Sequence, residues 1–365
     1  MVTTHQLHPG SAARMAAIAD ESVGLVVTSP PYPMIEMWDE SFFTQSEEVR
    51  GAWRDNRWLD AYEHMHEVLD ACWKECWRVL VEGGILCINI GDATRTLGGQ
   101  FRLFPNHARI IQSCLQAGFQ CLPHIIWRKP TNAPNKFMGS GTLPPGAYVT
   151  LEHEYILVFR KGNKRIFRTS EEKQRRARSA FFWEERNMWF SDLWHLAGTR
   201  QQLTKGYSRA RSGAFPFEIP WRLIHMFSIQ GDTILDPFVG TGTTMLAAMA
   251  AGRSSAGVEL DASMARLTAE VMDEANVQRL ADENIQRLQS HISFVEDAVA
   301  KGKVFKYENE TYGFAVMTRQ ERALALPIIE QVTKRSANEW QARYTFDWKE
   351  KCAGKGIQLT FKMPL

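Results

Sequence analysis

Short apolar runs rich in β-branched residues alternate along the chain with stretches whose apolar positions recur every three or four residues. Val23–Thr28 (VGLVVT) is apolar without alternation, as expected of a strand covered on both faces, and it stops abruptly at Ser29-Pro30-Pro31. The spacing predicts a helix over 61–80, a turn at Gly83-Gly84, a buried strand over 85–90 and a helix over 105–117 closed by Gly118. Two further strands are predicted at 122–127 and 155–159, joined by a Pro-, Gly- and Asn-rich loop over 128–150. A second strand–helix–strand unit follows, with strands at 233–235 and 255–260 flanking a helix at 243–251. Beyond 262, Ala281, Ile285, Leu288, Ile292, Val295 and Val299 recur at helical spacing, and the last 60 or so residues are mixed, with a final strand expected at 357–361. Strands alternating with helices predict an α/β fold with a mainly parallel sheet.

Composition narrows this little. The chain has 365 residues, 44% hydrophobic and 23% charged, which excludes wholesale disorder. No apolar run reaches a membrane span and no leader-like segment opens the sequence, so a cytoplasmic, nucleoid-associated protein is expected. Six cysteines form no Cys-x-x-Cys pair; Cys72 and Cys76, one helical turn apart, read as small buried hydrophobes.

Charge changes the picture more. The net charge is only +2, yet residues 161–213 carry thirteen Lys and Arg against five Asp and Glu. A basic segment on an acidic remainder suits a polyanionic partner.

Two segments carry candidate chemistry. Thr28-Ser29-Pro30-Pro31-Tyr32 follows a buried strand. Its prolines stiffen the backbone and remove two N–H donors, leaving hydroxyl and carbonyl acceptors beside an aromatic ring. Such a loop can accept both hydrogens of an exocyclic amino group while a planar base stacks on Tyr32. The second segment, Asp236-Pro237-Phe238-Val239-Gly240-Thr241-Gly242-Thr243-Thr244, joins a strand to a helix, and Glu259 closes the next strand. Glycines allow close backbone approach, and a carboxylate in that position can bind both hydroxyls of a ribose. No Lys follows the glycines, which disfavours a phosphate loop.

Together these motifs resemble those of the amino-methyltransferases that modify exocyclic nitrogens of DNA bases with S-adenosylmethionine. TSPPY is similar to the catalytic motif of that family and DPFVGTGTT to its cofactor motif. Gly213-Ala214-Phe215-Pro216 with Glu218 to Phe227 resembles the segment leading into the cofactor motif. Trp127-Arg128-Lys129 and His153 to Phe159 resemble later strands. The likeness spans about residues 4–262, in the permuted motif order called the β class. It implies a Rossmann-like class I methyltransferase fold, with a seven-stranded, mainly parallel sheet and one antiparallel strand. A catalytic half would span 23–160, a basic target-recognition segment 161–213 and a cofactor half 214–262, with residues 4–19 returning to the cofactor side. Residues 263–365 would form a mainly helical extension. The resemblance assigns Ser29, Pro30, Pro31 and Tyr32 to catalysis. It assigns Phe215, Pro216, Asp236, Pro237, Phe238, Gly240, Gly242, Thr243, Thr244 and Glu259 to the cofactor. One departure is Gly10-Ser11, where many relatives have Gly-Asp.

Ser at the first motif position resembles the N4-cytosine branch, with N6-adenine as the alternative. C5-cytosine chemistry needs a Cys nucleophile after Pro, and the sequence has no Pro-Cys pair. Lys129, Asn132, Asn135 and Lys136 of the long loop and Arg175, Arg176 and Arg178 of the basic segment are candidate DNA contacts. Residues 35–39 could shape the base pocket or the cofactor's methionine end. No metal is expected: His153-Glu154 lacks the second His of a zinc motif. The expected partner is double-stranded DNA, with a restriction endonuclease as a functional companion and a monomer or homodimer as the active species. Methylation of structured RNA and a non-catalytic DNA-binding subunit are the competing readings.

Overall fold

Strands Leu80–Ile90, Val23–Thr28, Thr233–Asp236 and Ser254–Glu259 lie side by side and run the same way. Their side chains split between two apolar cores. Leu25, Val27, Cys87 and Ile234 enter one, and Val26, Leu86, Ile88 and Leu235 the other. Both faces are covered, so the sequence shows continuous apolar runs instead of alternation. Helices Glu218–Phe227, Thr243–Ala250 and Val277–Ala300 contribute to the first core, and Trp58–Val79 and Asn106–Gln116 to the second.

The computed structural model describes residues 1–129, 138–198 and 215–347. Val2–Pro9 adds a parallel strand beside Ser254–Glu259, the strand that the resemblance assigns to the cofactor half. On the opposite flank His153–Arg160 enters antiparallel beside Leu80–Ile90 and pairs with Ile125–Arg128. These seven strands, with one reversed, form the expected Rossmann-like sheet of a class I methyltransferase. Among the described residues it grows to eleven: Leu193–His195 borders Ile125–Arg128, Gln120–Cys121 pairs with His153–Arg160, and a C-terminal hairpin covers Val2–Pro9.

That hairpin, Ile328–Ser336 and Glu339–Thr345, departs from the mainly helical extension expected there. The expected helical stretch precedes it as Ala262–Asp273 and Val277–Ala300. Trp340 and Tyr344 enter the core, and the Tyr344 hydroxyl donates to the Met249 carbonyl at 2.7 Å. The strand expected at 357–361 lies outside the described residues.

Candidate active site

Parallel sheets gather loops at the carboxyl ends of their strands, where ligands bind. Here that edge receives Ser29 from Val23–Thr28, Asn89 near the end of Leu80–Ile90, and Lys129 just past Ile125–Arg128. Because His153–Arg160 is reversed, its first residues, including Glu154, arrive at the same edge. Ser29 Oγ lies 3.1 Å from Tyr32 Oη, which donates to Glu154 Oε2 at 2.9 Å. Asn89 Nδ2 donates to Tyr32 Oη at 2.8 Å and to Glu154 Oε2 at 2.7 Å. Lys129 Nζ pairs with Glu154 Oε1 and sits 4.3 Å from the Trp127 ring centroid. Burial, reinforced by the Glu154 charge, pushes the Tyr32 phenol well up, so it keeps its proton. Gly91 packs closely against this pair: a Cβ there would lie 3.1 Å from Tyr32 Cε2 and 3.2 Å from Glu154 Cγ, so those side chains would have to shift by a few tenths of an ångström. Asn106 anchors the loop from below, donating to the Pro33 and Gly91 carbonyls at 3.0 Å each.

Beside this loop opens a cavity of about 470 Å³. Ser29, Pro31, Met37 and Trp38 line it together with Pro237, Phe238, Gly240 and Glu259. Gly240 has φ +53°, and a Cβ added there would meet only the Phe238 carbonyl oxygen, at 3.9 Å, so the backbone is bare where it borders the cavity. Glu259 accepts from the N–H groups of Gly240 at 3.0 Å and Asp261 at 2.9 Å, which holds one lone pair on each oxygen and leaves others for a diol. Burial raises its carboxyl above the ordinary value, against those two backbone donors. Ser11, Ala12 and Ala13 also line it, so the departure at Ser11 borders the cavity. Cys72, which also lines the cavity, is buried with its Sγ 4.0 Å from Cys76 Sγ, as small hydrophobes would be.

Asp236, Gly242, Thr243, Thr244, Phe215 and Pro216 do not line this cavity. Asp236 is instead a buried clasp: Thr28 Oγ1 donates to one oxygen at 2.6 Å and Thr244 Oγ1 to the other at 2.7 Å, tying strand Val23–Thr28 to helix Thr243–Ala250. Burial pushes its carboxyl up to about 6 from 3.8, although Thr28, Thr244 and the Phe238 N–H favour the charge. The folded chain therefore holds this proton more tightly than the unfolded chain, and stability should fall as pH rises from about 4 to about 6, by roughly 3 kcal/mol. Asp236→Asn should remove that step. Urea unfolding of both proteins at several pH values in this window checks it, and a difference that stays flat across the window would contradict the assignment.

The arginines singled out in the first part of the basic segment lie away from the carboxyl edge of the sheet, while residues 199–213 lie outside the described residues. Arg165 forms a bidentate pair with Asp232, at the amino end of Thr233–Asp236, at 2.7 and 2.9 Å. Helix Ser170–Arg178 sits at this same edge. Arg175 abuts Gly231, Arg176 lies 5.0 Å from the Phe167 ring, and the Arg178 carbonyl accepts from the Ala325 N–H at 3.0 Å. Strands of four to six residues separate them from Ser29, roughly 13–20 Å at 3.3 Å per residue. Arg175, Arg176 and Arg178 thus do not face the site; they brace the opposite edge. Lys129 does reach the site, through Glu154, a residue that the sequence suggests only as a zinc ligand and then disfavours. Asn132, Asn135, Lys136, Gly213 and Ala214 lie outside the described residues. Of 35–39, Met37 and Trp38 line the cavity, while Asp39 is held by Arg95 at 2.9 and 2.7 Å.

A seven-stranded, mainly parallel sheet of this order with one reversed strand is the fold of a class I methyltransferase, and here a cavity bordered by a carboxylate and an acceptor loop opens at its carboxyl edge. The chain belongs to the DNA methylase family, which matches residues 23–270. It is 48% identical to the Type II methyltransferase M.MthZI of Methanothermobacter thermautotrophicus, over 94% of this chain and 96% of that one. Among solved structures, a Thermus thermophilus protein complexed with S-adenosyl-L-methionine matches with TM-score 0.56 and 35% identity, over 76% of this chain and 95% of that one. The cytosine-N4-specific PvuII DNA methyltransferase shares the fold, with TM-score 0.50 and 16% identity over 79% of this chain and 94% of that one.

Proposed function

We propose that this chain transfers a methyl group from S-adenosylmethionine to the exocyclic N4 of a cytosine flipped out of duplex DNA. The companion role is that of the modification enzyme in a restriction–modification system, as the Type II name of its relative suggests. The observation that carries the reading is a serine, with no carboxylate at its position, heading the acceptor loop where that loop borders the cofactor cavity. Residues 11–13, Gly240 and Glu259 would hold the nucleoside end of the cofactor, which when bound supplies an electrophilic methyl group on sulfonium sulfur.

The amino group of a stacked base lies out of reach of such a cavity, so the target must leave the helix. Tyr32 offers its ring to the extruded base. Ser29 Oγ and the Pro30 carbonyl accept the amino hydrogens, which draws the nitrogen lone pair out of conjugation and aims it at the methyl carbon. Positioning and fixed dipoles supply the acceleration. The nitrogen becomes acidic once the new N–C bond forms and sheds one proton, so no strong base is required.

Incubation with genomic DNA and isotopically labelled S-adenosylmethionine, followed by digestion and mass spectrometry, should yield labelled N4-methyldeoxycytidine. Labelled N6-methyldeoxyadenosine would overturn the choice of base and leave the site intact. Label in RNA alone, or none, would overturn the DNA reading.

A further inference from the structure

The hydrogen bonds around Tyr32 have a direction set by donor count. A carboxylate only accepts, so both groups meeting Glu154 Oε2 must donate: Tyr32 Oη at 2.9 Å and Asn89 Nδ2 at 2.7 Å. This fixes the Asn89 amide, because a flipped side chain would set its oxygen against the carboxylate. Asn89 Nδ2 then also donates to Tyr32 Oη, at 2.8 Å. The phenol has a single proton, and it is committed to Glu154. Its remaining contact, with Ser29 Oγ at 3.1 Å, must be filled by the Ser29 proton.

We propose that Glu154, acting through Tyr32, sets the polarity of the Ser29 hydroxyl, so that both Ser29 lone pairs are left for the amino group of the target base. Glu154 is a positioning residue in this scheme, two hydrogen bonds from the substrate-facing hydroxyl. The inference rests on the amino-methyltransferase reading above and explains why a hydroxyl can serve as acceptor there. Left free to rotate, Ser29 could donate to the amino nitrogen and occupy the lone pair that must attack. Lys129 on the other Glu154 oxygen, over the Trp127 ring, keeps the carboxylate in place.

The test is a double-variant cycle with Glu154→Gln and Tyr32→Phe, in the full chain with DNA and labelled S-adenosylmethionine. The substituted amide can present an N–H to Tyr32, so Glu154→Gln should lower kcat about ten- to a hundred-fold, the scale of one charge-assisted hydrogen bond, with the KM for S-adenosylmethionine unchanged. Combined with Tyr32→Phe it should cost nothing further, because both changes cut the same chain. An unchanged kcat, or losses that multiply, would overturn the proposal. A second readout needs no turnover. In cofactor-free protein, the hydroxyl proton resonance of Tyr32, identified by its loss in Tyr32→Phe, should lie far downfield and move upfield in Glu154→Gln. A resonance that does not move would likewise overturn the role of Glu154. Should the wild-type chain methylate no DNA, the substrate reading fails while the resonance still decides whether Glu154 orders this chain.

Discussion

Ser29→Ala is expected to lower kcat by about 10²–10³-fold, the range seen when one preorganised polar partner of a transition state is removed. The loss should appear almost wholly in kcat. Ser29 borders the cavity through a short side chain, whereas the groups proposed to hold the nucleoside are Gly240 and Glu259. Binding of S-adenosylmethionine by calorimetry should therefore change less than about threefold, since no hydrogen bond to the cofactor is removed. Stability should hardly move, because the sole side-chain hydrogen bond of Ser29 Oγ among the described residues is to Tyr32, which keeps Asn89 and Glu154. Ser29→Asp is the informative companion. It restores an acceptor, and should recover part of the lost rate, but brings a second carboxylate toward Glu154. Full activity in Ser29→Ala, measured by labelled methyl transfer, would sink the assignment of this loop to catalysis.

How much was legible in the sequence depended on what each element buries. Val23–Thr28 and the 85–90 run were readable because both faces of those strands are apolar. Val2–Pro9 was not, because its inward positions include Thr3 and His5 in place of hydrophobes. These polar groups satisfy one another: Thr3 Oγ1 lies 2.8 Å from His5 Nε2 and 2.9 Å from Tyr344 Oη, and His5 Nδ1 lies 2.8 Å from Ser255 Oγ. Burial then drives the His5 imidazole down to about 3, so it is neutral in the core. A polar core strand carries no hydrophobic period. The C-terminal hairpin did carry one, since Trp340, Ala342 and Tyr344 alternate with polar residues, and that signal was available. In the site, Ser29, Pro31, Pro237, Phe238, Gly240 and Glu259 could be found by motif, whereas lining residues such as Phe42, Val68 and Leu69 belong to no motif. Asn89 and Glu154 could not be found that way either. They come from strands 57 and 122 residues beyond Tyr32, and only the reversed direction of His153–Arg160 brings Glu154 to the catalytic edge. A count of Lys and Arg along 161–213 does not say which edge of the sheet each cation occupies: Arg175, Arg176 and Arg178 lie away from Ser29, while Arg200, Lys205, Arg209 and Arg211 lie outside the described residues.

Glu259→Ala should weaken S-adenosylmethionine binding about 10²–10⁴-fold, the equivalent of losing two hydrogen bonds to a charged acceptor at about 1.5–3 kcal/mol each. The geometry concentrates the effect in binding. Glu259 ends its strand at the cavity wall, with each oxygen steadied by one backbone N–H, so its remaining lone pairs are fixed toward the space a ribose would fill. Glu259→Gln keeps one acceptor and should fall between wild type and alanine. Alanine also releases both the Gly240 and Asp261 N–H groups, and glutamine one of the two, so a loosened loop contributes part of the loss. Melting of the cofactor-free proteins separates the two contributions, because loop loosening lowers the apo melting temperature and a lost ribose contact does not. Since the hydrogen bonds of Glu259 run to Gly240 and Asp261 and not to the acceptor loop, saturating cofactor should restore most of kcat in Glu259→Gln, the reverse of the pattern expected for Ser29→Ala. A dissociation constant for Glu259→Ala within about threefold of wild type would mean that the carboxylate holds only the Gly240 loop and that the ribose is bound elsewhere.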